Sequence, residues 1–353
     1  MTKKFKNVLI ARFSALGDVA MTVPVVYSAC EAYPGVRFVM ATQPVASSLF
    51  INRPANLEVV AVDVKERYHG PRGIWRLMGD LRRDYAIDAF VDLHDVIRTR
   101  IMGLYCRLHA IPMSRIDKGR REKRELTRER GKQMRQLISS RQRYADAFEA
   151  MGFSFGETFT SVYPEGSDVP SVADIAGEKH AGERWIAVAP FAKHEGKIYP
   201  PGLMSLVVDA MARRDGVRLF LFGGGGYERT VLDLWERKHP GKVTSLAGKR
   251  YGFGRELALL RQCDVMLSMD SANMHLASLV GLPVVSVWGA THPFCGFTGW
   301  HQSADNQVQV DMPCRPCSVF GNKPCLRGDY ACLRSIDHNV IIQRLDKVIS
   351  NNE

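Results

Sequence analysis

Asp264-Val-Met-Leu-Ser-Met-Asp-Ser-Ala-Asn-Met-His-Leu-Ala-Ser-Leu-Val-Gly-Leu-Pro-Val-Val-Ser-Val-Trp288 reads as strand, helix, strand. Its first run, from Asp264 to Met269, is short and apolar with little alternation, the pattern of a strand buried on both faces. Asp270 or Ser271 is suited to cap a helix that holds Met274 to Val280. Gly281 is a good residue just beyond a helix end, and Pro283 opens the next strand. Two buried strands joined by one helix imply a right-handed crossover and a parallel sheet. The segment therefore predicts an α/β fold.

The same alternation extends in both directions. Trp185 to Pro190 and Val217 to Phe222 read as strands, with helices at Leu203–Arg213 and Tyr227–Lys238 and another helix holding Leu257–Gln262. In the first half, strands are expected at Lys6–Phe13, Val36–Ala41, Leu57–Val62 and Ala89–Leu93. One helix is expected from Val19 to Tyr33, ended by Pro34-Gly35. The Gly/Pro/Asp-rich stretch Pro164-Glu-Gly-Ser-Asp-Val-Pro170 separates the halves. The chain is long for one hydrophobic core and comfortable for two. Three segments are expected: a Rossmann-like domain over 1–170 with a basic helical segment, a second Rossmann-like domain over 180–335, and a helix over 336–353 packing back on the first domain. A ligand cleft between two such domains is the natural site.

The 353 residues carry a formal charge of +11, and 46% are hydrophobic, an ordinary balance for a soluble globular protein. No run reaches the roughly eighteen apolar residues of a membrane span. The apolar run after Lys6 is too short for a signal-peptide core, so a cytoplasmic location is expected. Basic residues concentrate between Arg98 and Arg143. That concentration fits an anionic partner such as a phosphorylated lipid or a membrane surface, or it is a solvated helical hairpin. Few aromatics interleave with the charges, so no nucleic-acid partner is expected.

Two motifs flank the chain's chemistry. Asp270-Ser-Ala-Asn-Met-His275 follows a strand and opens a helix, where N–H groups and the dipole favour an anion such as a diphosphate; the alternative is an ordinary capped helix. Arg12-Phe-Ser-Ala-Leu-Gly-Asp18, with Pro24 beyond it, puts one carboxylate in the first β–α turn. Val265–Pro293 resembles the nucleotide-sugar signature of glycosyltransferase family 9, the heptosyltransferases of lipopolysaccharide core assembly, which have the GT-B fold: two Rossmann-like domains with parallel sheets facing across a cleft. The match runs through Asp270, Ser271, His275, Ala277, Gly281, Pro283, Gly289, Thr291 and Pro293, and departs at Ala272, where the family usually has glycine. Arg12–Asp18 resembles the family's N-terminal signature.

The resemblance implies roles. Asp18 is the expected general base. Lys197, at the end of Pro190-Phe-Ala-Lys-His-Glu-Gly-Lys197, is the expected contact to the donor phosphates, alongside Asp270, Ser271 and His275. Ser14 and Gly17 are further donor-side candidates, and Glu228, after the glycines 223–226, is expected to reach the ribose. Arg98, Arg120, Arg121 and Lys123 are candidate acceptor contacts. The implied reaction is inverting, metal-independent transfer of a heptose or related sugar from a nucleotide diphosphate, with ADP-heptose the family expectation. The implied acceptor is a lipopolysaccharide core or similar anionic glycolipid at the cytoplasmic face of the inner membrane. A nucleotide-sugar epimerase of similar fold and a basic nucleic-acid- or membrane-binding module are the rival readings. No catalytic metal or cofactor is required. Cys314, Cys317, Cys325 and Cys332 form a cluster that either holds a structural Zn²⁺ or consists of packed thiols.

Overall fold

The computed structural model describes residues 5–351 and divides the chain into two compact units. The first holds the chain up to Arg120 together with Ile138–Pro164. Its strands are β1 (Asn7–Ala11), β2 (Arg37–Thr42), β3 (Leu57–Ala61), β4 (Ala89–Asp92) and β5 (Met113–Arg115). All pair in parallel in the order β3-β2-β1-β4-β5. The helices are α1 (Leu16–Ala20), α2 (Thr22–Ala32), α3 (Pro44–Ser47), α4 (Gly70–Tyr85) and α5 (Ile97–Leu108), followed after α6 (Arg120–Thr127) by α7 (Ser140–Glu149). The amphipathic spacing of α4 buries Ile74, Leu77, Met78 and Leu81.

The single helix expected from Val19 to Tyr33 is two helices broken at Met21. Pro24 explains the break. It has no N–H to give the carbonyl four residues back, and it is tolerated only because α2 restarts and places it in a first turn.

The second unit holds Arg121–Leu137 and the chain from Glu165 onward. Beyond α8 (Ala173–Ala176), it contains β6 (Arg184–Ala189), α9 (Pro201–Ala212), β7 (Val217–Leu221), α10 (Tyr227–Lys238) and β8 (Val243–Ser245). It continues through α11 (Phe253–Gln262), β9 (Val265–Met269), α12 (Ala272–Ser278), β10 (Val284–Val287), β11 (Gln307–Val308), α13 (Ala331–Arg334) and α14 (His338–Ser350). Its parallel order is β11-β10-β9-β6-β7-β8. The segment that opened the sequence reading is β9-α12-β10.

Two expectations about organisation change. The basic stretch is not a helical hairpin: α5, β5 and α7 belong to the first sheet's layers, and 121–137 joins the second unit. Three contacts seat that excursion. The Lys123 ammonium lies 4.4 Å from the Phe297 ring centroid. Leu137 N–H donates to the Phe294 carbonyl at 3.0 Å, and Lys132 Nζ donates to the Pro316 carbonyl at 2.7 Å. The C-terminal helix also differs. Asp337 caps α14 through its side chain, and Ile341, Leu345 and Val348 form a buried stripe. That stripe packs against α9 and strands β9 and β10 of the second unit, so the helix belongs there rather than to the first domain.

Candidate active site

In each unit the strand order reverses direction between two adjacent strands, β1/β4 in the first and β6/β9 in the second. Such switch points open a crevice at the carboxyl ends of the strands. The Arg12–Asp18 motif follows β1, the Lys197 loop follows β6 and the Asp270 motif follows β9, whereas the glycine run with Glu228 follows β7.

In the second unit, the loop after β6 ends in a short 3-10 turn, Glu195–Lys197, and the β9–α12 turn carries Asp270. Lys197 Nζ is 2.8 Å from Asp270 Oδ2. The same oxygen accepts from Thr291 Oγ1 at 2.7 Å. Both charged side chains are largely buried, 14% exposed for Lys197 and 4% for Asp270. The lysine stem is held by backbone: a Cβ on Gly321 would stand 2.6 Å from Lys197 Cγ. Asp270 is therefore the anchor that holds the Lys197 ammonium in place.

Ser271 occupies the N-cap position of α12, yet its side chain makes no cap bond; its hydroxyl instead pairs with Ser268 Oγ at 3.3 Å. His275 is buried within α12. Ala272 begins the helix and is not among the residues with positive φ. The backbone there does not demand glycine's freedom.

Beside this pair is a cavity of about 530 Å³, a size suited to a small ligand. Glu195 and Ile198 line it from the Lys197 turn, Tyr227 and Glu228 from the start of α10, and Tyr330, Leu333 and Arg334 from α13 and its edge. Glu228 Oε2 accepts from Gly224 N–H at 2.6 Å. The glycine run thus packs on the glutamate: a Cβ at Gly223 would meet Leu232 at 2.6 Å and Glu228 at 3.4 Å.

In the first unit, Asp18 lies in α1 directly after the β1 turn. Its Oδ2 accepts from Ala15 N–H at 3.2 Å and sits 2.7 Å from Arg12 Nη2. Its side chain stays 28% exposed, enough to meet a substrate, while Arg12 is buried. Arg12 also donates to the Leu93 carbonyl at 2.7 Å and lies over the Tyr144 ring. Burial opposes the guanidinium's charge, but Tyr144 and Asp18 overcome it and raise the pKa. The neighbouring β4 edge adds a polar group. His94 Nδ1 accepts from Phe13 N–H at 3.3 Å. Burial, reinforced by Arg12 and Lys118, lowers the His94 pKa to about 3, so the ring is neutral. Lys118 is itself pushed down by burial, then by Arg12 and Arg120.

The candidate acceptor contacts lie on two helices, Arg98 on α5 and Arg120, Arg121 and Lys123 on α6. Arg98 is exposed on α5. Arg120 pairs with Asp95 at 2.6 Å, and Arg121 pairs with Glu125 at 3.0 Å. Lys123 is buried against Phe297. Burial raises the Asp95 carboxyl, but Arg100 and Arg120 outweigh it and the pKa falls. Ser14 lies in the β1–α1 turn and Gly17 beside Asp18 in α1, all in the first unit.

Arg12 and His94 were missed as site residues by sequence reasoning. Arg12 was inside the quoted motif, and the signal for His94 was the polar run Asp92-Leu-His-Asp95 at a strand end. The buried Arg315 was also missed. It donates to the carbonyls of Gly289 at 2.5 Å, Thr291 at 3.0 Å and Trp288 at 3.3 Å. It thereby fixes the loop that presents Thr291.

Known proteins share this fold. Lipopolysaccharide heptosyltransferase 1 of Pseudomonas aeruginosa is 24% identical over 326 residues, 88% of this chain and 86% of that protein. A glycosyltransferase family 9 structure from Veillonella parvula superposes with a TM-score of 0.76 at 16% identity, covering 99% of each chain. The Escherichia coli heptosyltransferase WaaC with ADP-2-deoxy-2-fluoro heptose gives 0.64 at 17% identity, covering 97% of this chain and 99% of that one. The fold is thus of the GT-B type, with two parallel α/β sheets. The family model described as glycosyltransferase family 9 (heptosyltransferase) matches residues 128–325, more than half of the sequence, and the chain belongs to that family.

Proposed function

We propose that this protein transfers heptose, with inversion, from ADP-heptose to the core of lipopolysaccharide or a similar anionic glycolipid. The buried Lys197–Asp270–Thr291 arrangement beside the 530 Å³ cavity carries the proposal. The cavity carries the Glu228 carboxylate and the Arg334 guanidinium in its lining, and the turn that holds Lys197 reaches it through Glu195 and Ile198. That setting suits a nucleoside diphosphate, with basic groups for the phosphates and a carboxylate to accept from ribose hydroxyls. The WaaC complex with an ADP-heptose analogue supports adenine and heptose as the donor's two ends.

The chemistry follows from where charge develops. As the anomeric bond breaks, the diphosphate gains negative charge, and a preorganised ammonium stabilises it without a metal in the transfer step. Asp18 takes the proton of the acceptor hydroxyl. Its ion pair with Arg12 orients the carboxylate. A carboxylate is a far weaker base than an alkoxide, so proton transfer accompanies bond making rather than preceding it. Backside attack by the hydroxyl inverts the anomeric carbon. The basic excess of the chain supports an anionic acceptor at the cytoplasmic membrane face. Among the described residues no helix is long and apolar enough to cross a membrane.

The test is incubation with ADP-, UDP- and GDP-linked sugars, with and without a heptose-deficient core acceptor. The expected result is transfer from ADP-heptose alone, anomeric inversion by NMR, and no response to added Mg²⁺ or Mn²⁺. Conversion of donor in the absence of acceptor identifies an epimerase instead.

A further inference from the structure

Helix α5, Ile97-Arg-Thr-Arg-Ile-Met-Gly-Leu-Tyr-Cys-Arg-Leu108, is apolar on two sides. Its inner side places Met102 and Cys106 in the core beneath the first sheet. Its outer side carries a second stripe, Ile97, Ile101, Leu104 and Leu108, at the i, i+4, i+7, i+11 spacing that lines one helix face. Ile101 is half-buried, but Ile97 is 78%, Leu104 44% and Leu108 66% exposed. Single exposed leucines are ordinary, whereas a row of large apolar side chains along about 16 Å of one helix marks an interaction face.

Helix α4 widens that face. It packs beside α5. Its partly exposed Trp75 stands edge-on to Tyr105 at 5.0 Å between ring centroids, and His109 stacks on Tyr105 at 3.9 Å. An indole at the border of an apolar stripe has an apolar body and a polar N–H, the combination that suits a membrane–water boundary.

The charge around the stripe has one sign. Helix α5 contains no Asp or Glu. Arg98 and Arg107 on α5, and Arg72, Arg76 and Arg82 on the outer side of α4, are all exposed. Among the described residues none of these five has a carboxylate within ion-pair distance. Arg83 and Arg100, by contrast, pair with Asp84 and Asp95. A two-fold dimer through this face would set arginine against arginine, which is costly. An anionic bilayer satisfies both features at once: its headgroups meet the guanidinium groups, and the leucine and tryptophan side chains enter the acyl boundary.

We infer that the α4–α5 face docks on an anionic phospholipid bilayer, with Ile97, Leu104, Leu108 and Trp75 seated at headgroup level. Helix α5 begins just after His94, at the carboxyl end of β4 and beside the turn that carries Asp18. Docking therefore brings that end of the first sheet to the surface from which a glycolipid's sugars project. This last consequence rests on the sugar-transfer reading, whereas the docking itself does not.

The full chain is mixed with vesicles of phosphatidylglycerol and phosphatidylethanolamine, and separately with vesicles of phosphatidylcholine alone. Sedimentation should show binding to the anionic vesicles and little to the neutral ones. Leu104→Ser/Leu108→Ser should weaken binding about tenfold or more. Arg76→Ala/Arg107→Ala should weaken it about 25-fold, roughly fivefold per charge. Circular dichroism checks that each variant is folded. Trp185, Trp235, Trp288 and Trp300 are buried, so lipids brominated along the acyl chain should quench Trp75, and Trp75→Phe should remove the quenching. Equal vesicle binding by wild type and Leu104→Ser/Leu108→Ser, or bound protein whose Trp75 is unquenched, overturns the docking face. A lipid-free dimer that Leu104→Ser/Leu108→Ser dissociates overturns it in favour of a second copy. Neither donor nor acceptor enters these assays, so their failure leaves the sugar-transfer reading standing, and failure of transfer leaves the docking standing.

Discussion

Replacing Lys197 by Ala tests the donor site and the packing beneath it together. At 2.8 Å the attraction between Lys197 and Asp270 is about 6 kcal/mol at an effective dielectric of about 20. Withdrawing both charges from water offsets part of this, and the pair is a modest net stabiliser. Removing the lysine alone is different: the Asp270 side chain, 4% exposed, is left with only Thr291 as a partner. The expected loss is about 3–5 kcal/mol. Asp270→Asn should cost less, because the amide oxygen still accepts from Thr291 and Lys197 reaches water more readily. The double variant Lys197→Ala/Asp270→Asn should recover a large part of the single loss, a coupling of about 3 kcal/mol. Urea titration followed by tryptophan fluorescence reads this well, since all tryptophans except Trp75 lie in the second unit. In catalysis the recovery should be absent. Both Lys197→Ala and the double variant lose the cation, and kcat/KM should fall by about 10²–10³. A single variant within about 1 kcal/mol of wild type, typical of an exposed pair, would refute the buried-pair argument. Restored turnover in the double variant would refute the role given to the ammonium.

Asp18→Asn should abolish transfer while leaving ADP affinity unchanged by calorimetry, since the cavity is lined wholly by second-unit residues; near-normal turnover sinks the base assignment. Glu228→Ala should raise the donor KM with a smaller effect on kcat, because a ribose contact is made equally in the ground and transition states. Burial lowers the pKa of His94 to about 3 and of His292 to about 4. Below the unfolded value of about 6.5, the unfolded chain binds protons that the folded chain refuses, so stability falls as pH drops toward 4. Each histidine contributes a slope of about 1.4 kcal/mol per pH unit in that window; His94→Asn should remove one such contribution, and an unchanged slope refutes the buried neutral ring. Added salt should weaken acceptor affinity steeply if the basic surface meets an anionic glycolipid, and a flat response makes that surface structural.

The parallel α/β architecture was legible because apolar runs such as Val265–Met269 and Trp185–Ala189 are buried on both faces and lack alternation. Strands β5, β8 and β11 were not: two or three residues such as Gln307–Val308 carry no period and exist because a neighbouring strand edge pairs with them. Asp18, Lys197 and Asp270 were legible as motif residues, but the contact between Lys197 and Asp270 was not. It spans distant positions and arises only when β6 and β9 become neighbours. The placement of Arg121–Leu137 was hidden for a related reason. Charge density along the chain says that a segment is basic, not which core accepts its few apolar residues, here Leu126 and Leu137.

That excursion has a consequence for how the protein is made. Residues 121–137 leave the ribosome inside the first unit's sequence, yet their partners Phe294, Phe297 and Pro316 are encoded far downstream, 184 positions after Lys132 in one case. At about 5–20 residues per second, that delay is roughly 10–40 s. During it, Leu126 and Leu137 have no core, and the first sheet must close around a looped-out segment. Cutting the gene at residue 164 would make the delay permanent, leaving one fragment with an orphan arm and the other with the seat for it. The two halves are therefore not exchangeable cassettes, and swapping either between relatives requires moving the arm with the later half.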